Sequence, residues 1–167
     1  MSQAVTPFTE DLRQFTERLR QEGELIDLHQ AIDIRHIATL VDQSDKAILF
    51  HNVIGYNMPV LSGIVRTQKR AVMSVGCSTF REIEDKLQKG ISNPIPPNRV
   101  ATSTTEEIIW TGDEVDLFKL PIPMSSIFDG GPMITAGVVI AKDPEYGINT
   151  GVYRFIVKEK NLTGIDI

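Results

Sequence analysis

The chain has one cysteine, one tryptophan and three histidines in 167 residues. Cys77 alone excludes an intrachain disulfide and a cysteine metal cluster, and fits a reducing compartment. His29, His36 and His51 show no close ligand spacing and read as surface or packing residues. No basic stripe interrupts a net charge of −5, and Arg66, Lys69 and Arg70 read as a solvated surface, so no nucleic-acid partner is expected. Long apolar runs are also missing, so no membrane span is expected. Met1–Thr6 lacks the basic and apolar regions of a secretory signal, and the sequon at Asn161 is then a chance match. Together these absences predict a cytoplasmic protein. Phosphate loops of the G-x-x-x-x-G-K-[ST] or G-x-G-x-x-G type do not occur either.

What is present is the composition of a globular domain, 41% hydrophobic and 23% charged. An amphipathic helix is predicted over 10–21, with Leu12, Phe15 and Leu19 inward, Arg13, Glu17, Arg18 and Arg20 outward, Thr9 as cap and Gly23 as stop. A strand over 25–28 and a helix over 34–42 capped by Asp33 follow. Further strands are predicted over 47–50 and 60–65 around a loop at Gly55, then a helix over 69–75 closed by Gly76. Thr79 and Glu82 form a capping box for a helix that reaches Lys89 and stops at Gly90. Pro94, Pro96 and Pro97 mark 91–105 as a connector. Beyond it come a strand over 108–111, a turn at Gly112–Asp113, and an irregular segment, 118–126, pinned by Pro121 and Pro123.

The small and β-branched run 133–141 predicts a strand buried on both faces. Asp143-Pro144-Glu145-Tyr146-Gly147 supplies a turn, 149–158 a returning strand, and 162–167 the start of another. Two or three strands with apolar edges are poorly stable alone, so a fragment or one subunit of a split protein is expected.

Several ordered strings carry a resemblance. Asp129-Gly130-Gly131-Pro132-Met133-Ile134-Thr135-Ala136-Gly137-Val138-Val139 precedes Lys142-Asp143-Pro144-Glu145 and then Asn149-Thr150-Gly151-Val152-Tyr153-Arg154. Upstream lie Asp11-Leu12-Arg13-Gln14-Phe15, Gly23-Glu24-Leu25, Phe50 to Leu61, and Leu120-Pro121-Ile122-Pro123. In this order the strings resemble the UbiD family of reversible decarboxylases, which includes the polyprenyl-hydroxybenzoate and ferulic acid decarboxylases. The resemblance implies an α+β chain: a small N-terminal α/β subdomain over 1–98, then the beginning of a flavin-binding split β-barrel over 99–167. It also implies exchange of carbon dioxide with an aromatic or α,β-unsaturated acid, using prenylated FMN and Mn²⁺, with K⁺ often present.

Asn149 alone reads as a turn residue; the resemblance implies a metal ligand whose amide oxygen suits a hard cation beside phosphate. Arg154 alone reads as a strand-surface arginine; the resemblance implies the active-site arginine, gripping a carboxylate at the flavin ring. Thr150, Gly151, Val152 and Tyr153 would offer backbone to the flavin, though Tyr153 could equally be core. Five residues of strand span roughly 16 Å, about the reach of FMN from phosphate to ring. An odd separation nevertheless puts Asn149 and Arg154 on opposite faces, so a bulge is expected, with Gly151 as its place. Asp129-Gly130-Gly131 reads as a tight turn. The family's metal His and Glu and its two catalytic acids are expected beyond Ile167, supplied by the rest of the enzyme or a partner subunit. A homo-oligomer is implied for the complete enzyme, and no turnover for this chain alone. Two other readings stand beside it: a non-catalytic subunit of a carboxylase complex, and a simple FMN-binding split-barrel module with reductase chemistry.

Overall fold

A computed structural model describes residues 11–166, an α+β arrangement with two three-stranded sheets in the orders β1-β2-β3 and β4-β5-β6. The expected cap Thr9 and the segment Met1–Thr6 lie outside the described residues. Helix α1 spans Leu12–Gln21, and its cap is Asp11. The Asp11 carboxylate accepts from the Gln14 amide at 2.8 Å, while the Gln14 side chain accepts from the Asp11 amide at 3.0 Å, a reciprocal box. Gly23 at φ 69° closes the helix, with Glu24 N–H donating to Leu19 O and Gly23 N–H to Arg20 O, a Schellman motif that needs a left-handed residue. Phe15 and Leu19 are buried, but Leu12 is exposed, and Arg18 turns inward to donate to Met73 O.

Strand β1 is Leu25–Leu28, β2 is Ala47–Phe50 and β3 is Val60–Ser62, shorter than the expected 60–65. Between the first two, Asp33 caps a 3₁₀ turn, Ile34–His36, that runs into helix α2, Ile37–Asp42. Helix α3, Gln68–Ser74, is capped by Thr67 and ends in a second Schellman motif at Gly76, φ 66°. Thr79 caps helix α4, Phe80–Ser92, and Glu82 reaches the Ser78 amide. This helix runs through Gly90, where a stop was expected. A single glycine costs about 1 kcal/mol in a helix, less than is needed to end one; Pro94 ends it instead.

The described residues fall into two compact units: 11–28, 41–49 and 61–107 form one, and 29–40, 50–60 and 108–166 the other. In the first, Phe15, Leu19, Leu25 and Ala47 make the core, with Leu49, Leu61, Ile64 and Met73 against it. Arg70 is fully buried there. It donates to Glu24 at 2.9 Å, Asp45 O at 2.7 Å and Gly63 O at 3.2 Å. Lys69 also donates to Glu24, at 2.8 Å. Lys69 and then Arg70 thereby hold the Glu24 carboxyl below its ordinary range.

In the second unit Ile32 bridges Val53 in parallel, and Ile37, Phe50, Val53 and Val157 are buried. The expected strand 108–111 does not form: Ile108 and Ile109 are exposed and find no strand partner among the described residues. Short 3₁₀ turns occupy Gly112–Glu114 and Leu117–Lys119. Strands β4, Met133–Asp143, β5, Gly147–Glu159, and β6, Leu162–Asp166, form an antiparallel meander. Strand β4 was expected to be buried on both faces. Instead Val138 is 67% and Ile140 72% exposed, because no second layer covers that face of the sheet among the described residues. The sheet is open, and the described residues do not close it into a barrel.

Candidate functional site

The hairpin that carries the candidate residues is set by its turn. The Asp143 carboxylate accepts from the amides of Glu145 at 2.8 Å and Tyr146 at 2.7 Å. The Tyr146 amide, then that of Glu145, holds this carboxyl below its ordinary range. From there the ladder runs one to one: Asn149 opposite Ala141, Thr150 opposite Ile140, Gly151 opposite Val139, Val152 opposite Val138, Tyr153 opposite Gly137.

The register then slips between Ile134 and Gly137, so the extra residue lies on β4, across from Arg154. The bulge expected at Gly151 is therefore absent. Gly151 has another use. A Cβ there would stand 2.5 Å from the Tyr153 ring, and one at Gly137 would stand 2.7 Å from the Phe155 ring. Both glycines leave room for an aromatic ring lying flat along one face, which Gly151, Tyr153 and Phe155 share.

Strand alternation puts Asn149 on that aromatic face and Arg154 on the other. Asn149, Thr150, Val152 and Arg154 are exposed, while Gly151 and Tyr153 are half-buried. Arg154 lines a cleft of about 240 Å³ with Met133, Ile156, Lys158, Gly164 and Ile165. Asn149 is not among its lining residues. The structure thus separates the two ends of the motif by face, and only Arg154 of the two lines this cleft.

Ile156 and Lys158 were legible in principle, since they follow Arg154 at strand spacing. Met133, Gly164 and Ile165 come from neighbouring strands, and only the register brings them in. The glycine-rich string serves as an anchor: the Asp129 carboxylate accepts from the Ser126 amide at 2.8 Å, and Val157 N–H donates to Pro132 O at 2.9 Å.

The donor set tests whether a metal fits. Among the described residues no group of three His, Cys, Asp or Glu side chains could hold a cation, and Asn149 offers one neutral oxygen. These residues do not compose a metal centre by themselves. The cleft combines the cations Arg154 and Lys158 with apolar lining from Met133, Ile156 and Ile165, a combination that favours an anionic group. No helix of the described residues is long and apolar enough to cross a membrane.

Comparison with known proteins agrees with the strings read from the sequence. Residues 16–87 match the N-terminal domain of 3-octaprenyl-4-hydroxybenzoate carboxy-lyase, and residues 98–167 match the Rift-related domain of the same enzyme. A protein of Rhodospirillum rubrum encoded in the cooM 5' region, itself uncharacterized, is 35% identical over 94% of this chain and 35% of its own length. The UbiD-class enzyme HmfF of Pelotomaculum thermopropionicum, solved with FMN, superposes with a TM-score of 0.85 at 30% identity, over 93% of this chain and 36% of HmfF. Vanillic acid decarboxylase of Sedimentibacter hydroxybenzoicus, in an open form with truncated VdcD, gives 0.84 at 28% identity, over 95% of this chain and 38% of that one. The chain spans little more than a third of the length of these relatives. With both domain models matched in order and the fold reproduced, the chain belongs to the UbiD family, over that family's N-terminal portion.

Proposed function

We propose that this chain is the N-terminal part of a reversible, non-oxidative decarboxylase acting on an aromatic or α,β-unsaturated carboxylic acid. The observation that carries the reading is the position of Arg154 in a cleft on the strand that bears the family string. HmfF has been solved with FMN and with prenylated FMN, which supports a flavin as the cofactor here. Prenylated FMN, when bound, supplies the electron sink for loss of carbon dioxide.

The remaining work falls to side chains. Arg154 grips the carboxylate of the acid bidentately and orients its sp² carbon. Asn149 would contribute one oxygen to a Mn²⁺ site, with K⁺ as an optional companion ion, and the other ligands would come from elsewhere in the enzyme or from a partner subunit. Backbone groups of Thr150, Gly151, Val152 and Tyr153 run beside the flavin. Because Asn149 and Arg154 occupy opposite faces, a single flavin meets both only where strand twist turns one toward the other; the reading therefore leans on Arg154. A subdomain boundary near residue 98, a cytoplasmic location and a homo-oligomeric complete enzyme belong to the same proposal.

The test is flavin retention and turnover. The chain is mixed with prenylated FMN and Mn²⁺, with and without the complementary C-terminal part of a relative, and passed through gel filtration. Near-ultraviolet and visible absorption report bound flavin. Carbon dioxide release from cinnamate- and hydroxybenzoate-type acids reports activity. The 167 residues alone are expected to release none, the combined preparation to release it, and Arg154→Ala to cut that rate at least 100-fold, as loss of a positioning charge does. A combined preparation without flavin or turnover would overturn the proposal. Hydride-dependent reduction of unmodified FMN would favour the reductase module.

A further inference from the structure

Helix α4 carries an apolar stripe that the first unit leaves largely uncovered. Phe80, Ile83, Leu87 and Ile91 recur at spacings of three, four and four, which gathers them on one face. Yet α4 buries none of its residues. Phe80 and Leu87 are exposed, Ile91 is 82% exposed, and Ile83 is half-buried. A contiguous apolar stripe of this kind marks an interaction surface, which single exposed apolar residues do not.

Gly90 lies on the same stripe, one turn after Leu87 and two turns after Ile83. Glycine is a poor helix former, and inside a helix it usually answers a packing need. No such need arises within the chain, since nothing among the described residues stands within 4 Å of the place a Cβ would take there. The stripe therefore has its largest side chain, Phe80, at one end and a hollow at the other. Charge is divided along the helix as well. Glu82, Glu84 and Asp85 outnumber Arg81 in the first half, and Lys86 and Lys89 occupy the second.

We infer that α4 is a docking surface for α4 of a second copy of this chain, laid antiparallel across a two-fold axis. One register serves both apolar pairs. With the axis at Asp85, Phe80 fills the hollow at the partner's Gly90 and Ile83 meets the partner's Leu87, each contact occurring twice, as an isologous interface requires. The same direction sets the acidic half of each helix beside the basic half of the other and opposes their dipoles. Parallel docking would set like charge against like and Phe80 against the partner's Phe80. The inference gives a surface to the homo-oligomer proposed above and rests on that part of the proposal alone, since it involves neither Arg154 nor a cofactor.

Sedimentation velocity of the 167-residue chain over a range of concentrations tests this. A dimer with a Kd on the order of 10 to 100 μM is expected, because α4 is about 20 Å long and a helix pair of that length is a small interface. Leu87→Ser should weaken the dimer about tenfold or more, as loss of an interface anchor does, with the far-ultraviolet circular dichroism unchanged. Gly90→Leu should weaken it as much while raising thermal stability, since it improves helix propensity and fills the hollow. A glycine kept for the monomer alone would not give both results. Val138→Ser, on the exposed face of the meander, should leave the dimer as it was. A chain still monomeric at roughly 1 mM, a dimer insensitive to either α4 substitution, or one lost to Val138→Ser would each overturn the inference. So would a monomer whose α4 is captured by the complementary C-terminal part of a relative. Flavin retention and turnover are measured separately, so the decarboxylase reading survives such a failure.

Discussion

The two units of this chain bury their residues by different rules. The first is closed around a conventional apolar core and one buried cation, Arg70, whose partners Glu24, Asp45 and Gly63 come from three separate segments. The second has the buried Ile37, Phe50 and Val53, but its meander relies on backbone ladders. Its strands are longer, yet Val157 is the only buried residue among those described in β4, β5 and β6, and several of its β-branched side chains face solvent. The first unit is held by what it hides, the meander of the second by what it pairs. Edge-pairing with a further layer is the ordinary remedy for such a sheet, whereas a packed unit needs none.

Mutations can break this contrast, beginning where the effect is greatest. Arg70→Ala should destabilise the first unit by about 4 kcal/mol, because it empties a fully buried site and removes the donor to Asp45 O, Gly63 O and Glu24, which keeps only Lys69. Urea unfolding followed by circular dichroism would measure it, and a loss below about 1 kcal/mol would contradict a buried anchor. The same cluster sets a pH dependence. Since the folded Glu24 carboxyl is held below its ordinary range, its stabilisation is complete at neutral pH and disappears as the pH falls through the folded value. Glu24→Gln should flatten that acid limb, and an unchanged limb would place its cause elsewhere.

Next in size, Leu19→Ala should cost about 3 kcal/mol through the cavity it leaves. Val157→Ala, the matching deletion in the hairpin unit, should cost about 2 kcal/mol because fewer atoms are removed. Equal losses at the two sites would erase the distinction between the units. Smallest of all, Val138→Thr should change stability by less than about 0.5 kcal/mol, since that side chain is already wet. A large loss there, read by thermal unfolding, would show that this face is covered in solution.

Where the chain's pattern is local, the sequence reads well. Strands β1 and β2 have the bounds that their apolar runs predicted, and Gly23 and Gly76 close their helices as expected, because a left-handed residue has few substitutes there. Asp33 and Thr79 cap as predicted. Errors arise where a second body must be known. Ile108 and Ile109 look like strand residues but lack a strand to pair with among the described residues. Gly90 looks like a stop, but its cost is smaller than the helix can bear. The run 133–141 looks buried, because composition records preference for an interior without saying whether a layer arrives to make one.

Residue order alone was enough to settle the family, the alternation of β5 and the odd spacing from Asn149 to Arg154, since each follows from counting along the chain. Tertiary structure decided that the bulge lies on β4, that Arg154 but not Asn149 lines the cleft beside β6, and that the Lys158 stem lies over Gly164. Those outcomes depend on register between strands, and register is fixed by contacts between residues that are distant in sequence.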